Sequence, residues 1–302
     1  MTDPAIPRHR RAIAFMIVAP VCWSSGGYLV RQLSIANAWE IVFWRSLFMV
    51  LFVAGVLFVM HRRRTLHAIA QVGWPGIVSG AFLAGAFFFF IASLTRTTVA
   101  NTNVLMSVGP FLAALAGYWL LRESVPARTW VAMTVAFAGI VVMFADSLDA
   151  GQWAGNLLAL GVPCCFAGQV TMLRKFRAKV DMLPQVMLAG LISVAGAALF
   201  VVPSFTASSR DLVVLAIMGC IQLGAGCLLA TAASRELSAT EMGLLALLEP
   251  ILGPVWVWAL MGEHPGVPAL VGGLIVLGAV VANEAFALWR GRTGLAQTRS
   301  AV

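Results

Sequence analysis

Glu249 stands beside Pro250 in "LLALLEPILGPVWVWALMG" (244–262), a stretch that otherwise carries no charge. A carboxylate in so apolar a run has three uses. It can take up and release a proton, hold or contact a small-molecule substrate, or serve structure by accepting hydrogen bonds from backbone N–H groups or pairing with a cation. The first two are functional and the third structural, and the residues alone leave all three open. Arg45, in "IVFWRSLFMVLFVAGVLFVM" (41–60), is the only other full charge well inside an apolar run. It lies about five residues from the end of that run, roughly 8 Å along a helix axis, so its guanidinium is expected to extend outward to water. The alternative turns it inward, to a substrate carboxylate or to Glu249.

Weaker polar signals surround these two. Pro20 leads into "WSSGGY" (23–28), and Pro163 leads into "FAGQVT" (166–171). Paired Pro- and Gly-interrupted apolar segments are a sequence pointer to a binding site at the middle of a membrane. Trp23, Ser24, Ser25 and Gln169 supply an aromatic wall and a few hydrogen bonds there, while Gly26 and Gly27 suit close packing. Trp44 adjoins Arg45. In "AFLAGAFFFFIAS" (81–93), four consecutive phenylalanines cover every face of a helix, so Phe87 and Phe90 are taken as the inward pair. Asn101, Asn103 and Ser107 precede Pro110, and Gln222 is a lone amide among apolar residues. The helix-break candidates are therefore Pro20, Pro110, Pro163 and Pro250.

No catalytic set emerges. The histidines (His9, His61, His67, His264) fall in loops or at the ends of runs, and no H-E-x-x-H, G-x-S-x-G or P-loop is present. Cys22, Cys164, Cys165, Cys220 and Cys227 all lie within apolar runs, which suits packing and offers neither a loop disulfide framework nor zinc spacing. No metal or cofactor is implied.

The elements that position these residues follow from composition. The chain has 302 residues, 61% hydrophobic and 11% charged, with a mean hydropathy of +0.92, against about 25% charged residues in a soluble domain. Its solvent is therefore lipid, where only helix bundles and closed barrels satisfy every backbone group. Barrel strands alternate over about ten residues, whereas these runs are continuous and about twice as long. An all-α integral membrane protein with about ten spans is expected, near 12–30, 41–60, 72–95, 97–121, 129–145, 150–173, 182–209, 212–234, 242–262 and 265–283.

Sixteen of the 20 Lys and Arg lie between spans on one side, three (Arg31, Arg96, Arg210) lie on the other, and Arg45 is internal. The bias puts both termini in the cytoplasm. Because the cations sit between apolar runs, membrane lipid rather than nucleic acid accounts for the basic charge. "GIVSG" (76–80) has GxxxG spacing that serves contacts within or between subunits, so monomer and homodimer both stay open.

Pro110 and Pro250 are 140 residues apart, and at that offset "TTVANTNVLMSVGP" aligns with "LSATEMGLLALLEP". Likewise "PVCWSSGGYLVRQ" (20–32) aligns with "PCCFAGQVTMLRK" (163–175). Two halves of five spans each, 1–145 and 150–289, followed by a tail over 290–302, give an odd number per half. The halves are then inverted relative to one another, as in secondary transporters. With these motifs, "FWRSLF" (43–48), and "LLALLEPILGPVWVWALMGEHPGVPALVGGLIVLGAVVAN" (244–283), the chain resembles the drug/metabolite transporter superfamily in its EamA-type branch. Within that branch it is most similar to the bacterial exporters of aromatic amino acids and related metabolites.

The resemblance implies a basket of ten helices around a central cavity that opens alternately to the two sides of a bacterial inner membrane. The expected activity is export of small amphipathic metabolites, amino acids included, with or without proton coupling. Hydrophobic cations or drugs, with Glu249 as counter-ion, form the alternative cargo. A membrane enzyme or sensor is the competing class.

Overall fold

The computed structural model describes residues 5–62, 73–122, 124–149, 152–176, 183–201, 205–233, 236–237, 242, 245–262 and 266–300. Among them every regular element is helical. In chain order these are α1 (Ala5–Ser24), α2 (Gly26–Arg31), α3 (Ala38–His61), α4 (Gly73–Leu94), α5 (Val99–Met106), α6 (Gly109–Leu121), α7 (Ala127–Asp149), α8 (Trp153–Phe176), α9 (Leu183–Val201), α10 (Ser209–Ile217), α11 (Gly226–Ala233), α12 (Leu248–Met261) and α13 (Val267–Ser300). A π-helical segment, Met218–Ala225, joins α10 to α11.

Six of the resulting segments are long and apolar enough to cross a membrane: Arg8–Arg31, Ala38–Met60, Gly73–Leu94, Val99–Leu120, Pro184–Val201 and Ser209–Ala233. Three shorter apolar helices lie at Ala127–Val142, Leu248–Met261 and Leu270–Asn283, and α8 makes the tenth segment. The protein is a multi-pass, membrane-embedded helical bundle. The last helix does not stop near 283 but runs on to Ser300, into the stretch expected as a tail.

The burial pattern is that of a chain dissolved in lipid. Val59 is 77% exposed and Leu199 80%, whereas Arg45, Glu40, Thr102 and Asn156 are 0% exposed. Apolar side chains that would be buried in water face outward because acyl chains are as apolar as they are. Polar groups retreat inward, where other polar groups can satisfy them.

Packing inside the bundle follows a simple pattern. α8 lies against α4, α5 and α6, while α1 lies against α11, the π segment and α12. α9 packs on α3 and α4; α3 in turn packs on α10 and the π segment. α7 pairs with α13, and α5 crosses α12. Glycines set the closest approaches. A β-carbon on Gly168 or Gly161 would collide with the rings of Phe82 or Phe89, so α4 and α8 are nearly in backbone contact. Gly80 meets the α9 backbone at Ala189, which assigns that end of the GxxxG pair to packing within the chain.

The prolines divide in two. Pro110 stands at the start of α6 and Pro250 at the start of α12, each just after an interruption, at Ser107–Val108 and at Leu247. Pro20 and Pro163, by contrast, lie inside unbroken helices. The expected break at Pro163 is absent because α8 is clamped along its length by the α4 phenylalanines, and tertiary packing overrides a local penalty of about 3 kcal/mol. In the first half the break comes later than Pro20, at Ser25. There Ser24 Oγ and Ser25 Oγ each donate back three residues, to the carbonyls of Val21 and Cys22. The segment aligned with Pro250's repeat partner is partly outside the described residues, at 238–241 and 243–244.

Candidate functional site

Arg45 lies about two turns into α3 and is fully buried. Its Nη2 donates to the carbonyl of Phe87 at 3.1 Å, and its guanidinium carbon stands 5.4 Å from the centroid of the Phe87 ring. Its Nε has no partner. The outward extension expected of this residue does not occur. The π segment closes over the α3 backbone at this point, with Gly219 against the Arg45 carbonyl and the Met49 amide. The helix face carrying Arg45 is therefore turned into the bundle.

Gln222, on the same π segment, donates from Nε2 to the carbonyl of Trp23 at 3.3 Å, and its Oε1 is buried without a partner. Trp23 packs its indole nitrogen against Gly226. That N–H faces the Cys227 thiol, a weak acceptor, and makes no full hydrogen bond. The Cys227 thiol is also within electrostatic range of both Arg45 and Glu249. Trp23, Arg45, Phe87, Gln222 and Cys227, from α1, α3, α4, the π segment and α11, thus form one central cluster, with Glu249 of α12 reaching it through Cys227.

Glu249 occupies the first turn of α12. The preceding Leu247 provides no side-chain cap, so the free N–H groups and the positive end of the helix dipole face a carboxylate in the same turn. Pro250 suits that position, since the first turn needs no N–H from it. The pairing of acid and proline is thereby explained as a helix start placed inside the bundle, and not as a mid-helix kink.

The other expected residues distribute around this centre. Ser24 accepts from Trp256 Nε1 at 3.0 Å and ties α1 to α12. Ser25 and Ser107 use their hydroxyls on backbone carbonyls of their own helices. Gly253 of α12 faces the Asn103 amide so closely that a β-carbon there would have to displace that side chain. Phe87 lies under Arg45, and Phe90 packs against Gly26. Trp44 sits among Phe43, Phe48 and Phe205, with centroids at 5.3, 6.3 and 5.2 Å, and its buried Nε1 is unpartnered. Gln169 Oε1 on α8 is also buried without a partner. Asn101 belongs elsewhere: its amide donates to Thr97 Oγ1 at 3.3 Å, near the loop that enters α5.

That loop end holds groups the sequence reading missed. Glu40, 0% exposed, accepts from the Thr206 amide at 2.7 Å, the Thr206 hydroxyl at 2.7 Å and the Ala207 amide at 2.8 Å. Asp211, 1% exposed, accepts from Ser34 N and Oγ at 2.9 and 2.6 Å, and from Ser208 N and Oγ at 3.0 and 2.7 Å. Ser208 and Asp211 form a reciprocal capping box at the start of α10. Arg31 donates to the carbonyl of Thr97, whose hydroxyl donates to Asn156 Oδ1 at 2.6 Å. The Ser-x-x-Asp spacing of "SSRD" was a visible signal for the cap. Nothing local marked its long-range partner Ser34.

Comparison with known proteins matches this architecture. The profile of the EamA-like transporter family matches residues 10–145 and, again, 153–283. YwfM, an uncharacterized transporter of Bacillus subtilis (strain 168), is 25% identical over 157 residues, 51% of this chain and 52% of that protein. The chain thus spans about half the length of this curated relative in the matched region. One crystal structure superposes with a TM-score of 0.67 at 15% identity, over 92% of this chain and 97% of the other, which supports the shared fold.

Proposed function

We propose, from the premise that the chain belongs to the EamA-like transporter family, that it is a secondary transporter exporting small amphipathic metabolites, amino acids and aromatic ones among them. The observation that carries the reading is the central cluster: a buried guanidinium with an unused N–H, an acid at an internal helix start, and an unpartnered amide oxygen, flanked by Trp23 and Phe87. A buried polar group without a partner costs about 1–3 kcal/mol, and a ligand that supplies the missing partners recovers that energy. A substrate carboxylate matches Arg45, an ammonium matches Glu249, and an aromatic or aliphatic side chain matches the ring faces.

The transport cycle we infer is alternating access between two inverted halves, 1–145 and 150–289. Two features support it. One family profile matches twice along the chain. The helix packing also exchanges between halves: α4 on α8 corresponds to α11 on α1, and α4 on α9 corresponds to α3 on α10, while α5–α12 and α7–α13 map onto themselves. The excess of basic residues beside the termini supports an orientation with both ends in the cytoplasm of a bacterial-type inner membrane.

The test is counterflow of labelled phenylalanine, tryptophan and threonine into preloaded proteoliposomes, with Glu249→Gln alongside and a pH series. Saturable exchange in the wild type, lost in Glu249→Gln and varying with pH, supports substrate or proton binding at the acid. Exchange indifferent to both makes Glu249 structural and the protein a facilitator. Folded protein that exchanges no amino acid, yet accumulates a hydrophobic cation, overturns the substrate assignment.

A further inference from the structure

Two of the most buried acids in the bundle take no part in the central cluster. Glu40 and Asp211 lie at the end of the molecule that carries the loop after α2 and the loop before α10, and each joins one half of the chain to the other. Their partners are neutral: two amides and a hydroxyl for Glu40, two amides and two hydroxyls for Asp211. A carboxylate held this way can trade its donors for water at a modest net cost per bond. A buried ion pair, once broken, leaves an uncompensated charge and is far harder to open. The contact is strong enough to close the end and weak enough to release it.

The carriers of these acids lead straight to the centre. Glu40 is in the first turn of α3, five residues before Arg45. Asp211 is in the first turn of α10, which continues into the π segment that holds Gln222 and packs Gly219 onto the Arg45 backbone. Separating the two loops therefore moves the helices that carry the central groups. We propose that Glu40 and Asp211 latch this end of the bundle shut, and that breaking their bonds to Thr206, Ala207 and Ser34 opens the central cluster to that side. The step in the cycle rests on the transporter reading above; the closure itself does not.

Two experiments test it. The first keeps Cys227 as the sole thiol (Cys22→Ala, Cys164→Ala, Cys165→Ala, Cys220→Ala) in proteoliposomes of defined orientation. A membrane-impermeant maleimide is added from the loop side, with and without Glu40→Gln and Asp211→Asn. Release of the latch raises Cys227 labelling from that side by about tenfold or more, the shift expected from losing even one charge-assisted bond. Unchanged labelling in a folded variant makes the acids static staples and overturns the proposal.

The second guards against variants that misfold. Ser34 Oγ and Ser208 Oγ both donate to the same Asp211 oxygen, so Ser34→Cys with Ser208→Cys, all native cysteines removed, places two thiols within reach of a short methanethiosulfonate cross-linker. Cross-linking should cut counterflow at least about tenfold, and dithiothreitol should restore it. Full exchange through the cross-linked protein overturns the latch. If the untreated protein exchanges none of the compounds tried, the substrate assignment falls, and Cys227 labelling still decides the latch.

Discussion

Glu40 and Glu249 are the same side chain in two kinds of surroundings. Glu40 is saturated, with three donors between 2.7 and 2.8 Å, all from the loop before α10. Glu249 starts α12, which packs on α1, while the central cluster holds groups whose own bonding is incomplete: Arg45 Nε, Trp23 Nε1 and Gln222 Oε1. Saturation is what a stabilising contact looks like, since every donor removed from water finds an acceptor. Incompleteness at one place is what a binding site looks like before its ligand arrives. Glu40 is fully buried and meets three donors, whereas Glu249 is only half-buried and the cluster near its helix start leaves Arg45, Trp23 and Gln222 each with an atom unpartnered.

The largest expected effect breaks this comparison most directly. Glu40→Ala leaves the Thr206 and Ala207 amides without their acceptor and should lower stability by about 2–4 kcal/mol, read as a fall in the thermal midpoint of detergent-solubilised protein. Glu249→Gln keeps the shape and should stay within about 0.5–1 kcal/mol of wild type, with its deficit in exchange instead. Equal losses of stability in the two variants would erase the distinction.

Gly253→Ala comes next. Its β-carbon collides with the Asn103 amide where α12 crosses α5, and overpacking of this kind costs about 1–3 kcal/mol. Gly253→Ala combined with Asn103→Ala should recover most of the loss. A double variant no more stable than the single one would mean that the crossing is not held by this contact.

Arg45→Met is the sharper probe of the centre. It removes the bond to the Phe87 carbonyl together with a buried charge, and replacing such a charge by an apolar chain of similar volume is often neutral or stabilising. Stability is expected within about 1 kcal/mol of wild type, with exchange of carboxylate-bearing substrates lost. A large drop in midpoint would reassign Arg45 to the scaffold.

What the sequence made legible was what depends on composition and on short spacing. Run lengths placed the helical segments, because lipid forces each run to satisfy its own backbone. Glycine pairs marked close contacts, and Gly26 and Gly27 do meet Gln222, Phe90 and Val99. The direction of a side chain was not legible. Arg45 turned inward because Gly219 brings a second helix onto its backbone, a contact between residues 174 positions apart. The π segment is written in no local motif, and Glu40 reads as an ordinary acid at the end of a run until Thr206 is folded against it. Long-range partners decide these cases, and a single chain read in order does not display them.

Pro163→Ala carries the smallest expected effect and tests why the paired-break expectation failed. Pro163 lies within α8 without interrupting it. Alanine restores one N–H and a better helix former, yet the position is buried against elements that already fix the helix axis, with Phe82 and Phe89 seated on Gly168 and Gly161. The gain in propensity and the loss of ring packing oppose one another, so the net change should lie within about 1 kcal/mol. Pro110→Ala differs, because Pro110 opens α6 after a real interruption. Removing it lets α5 and α6 compete to form one continuous helix, which would carry Asn103 off Gly253. Exchange should therefore suffer in Pro110→Ala and persist in Pro163→Ala. The reverse outcome would return the functional break to α8 and take it from α5–α6.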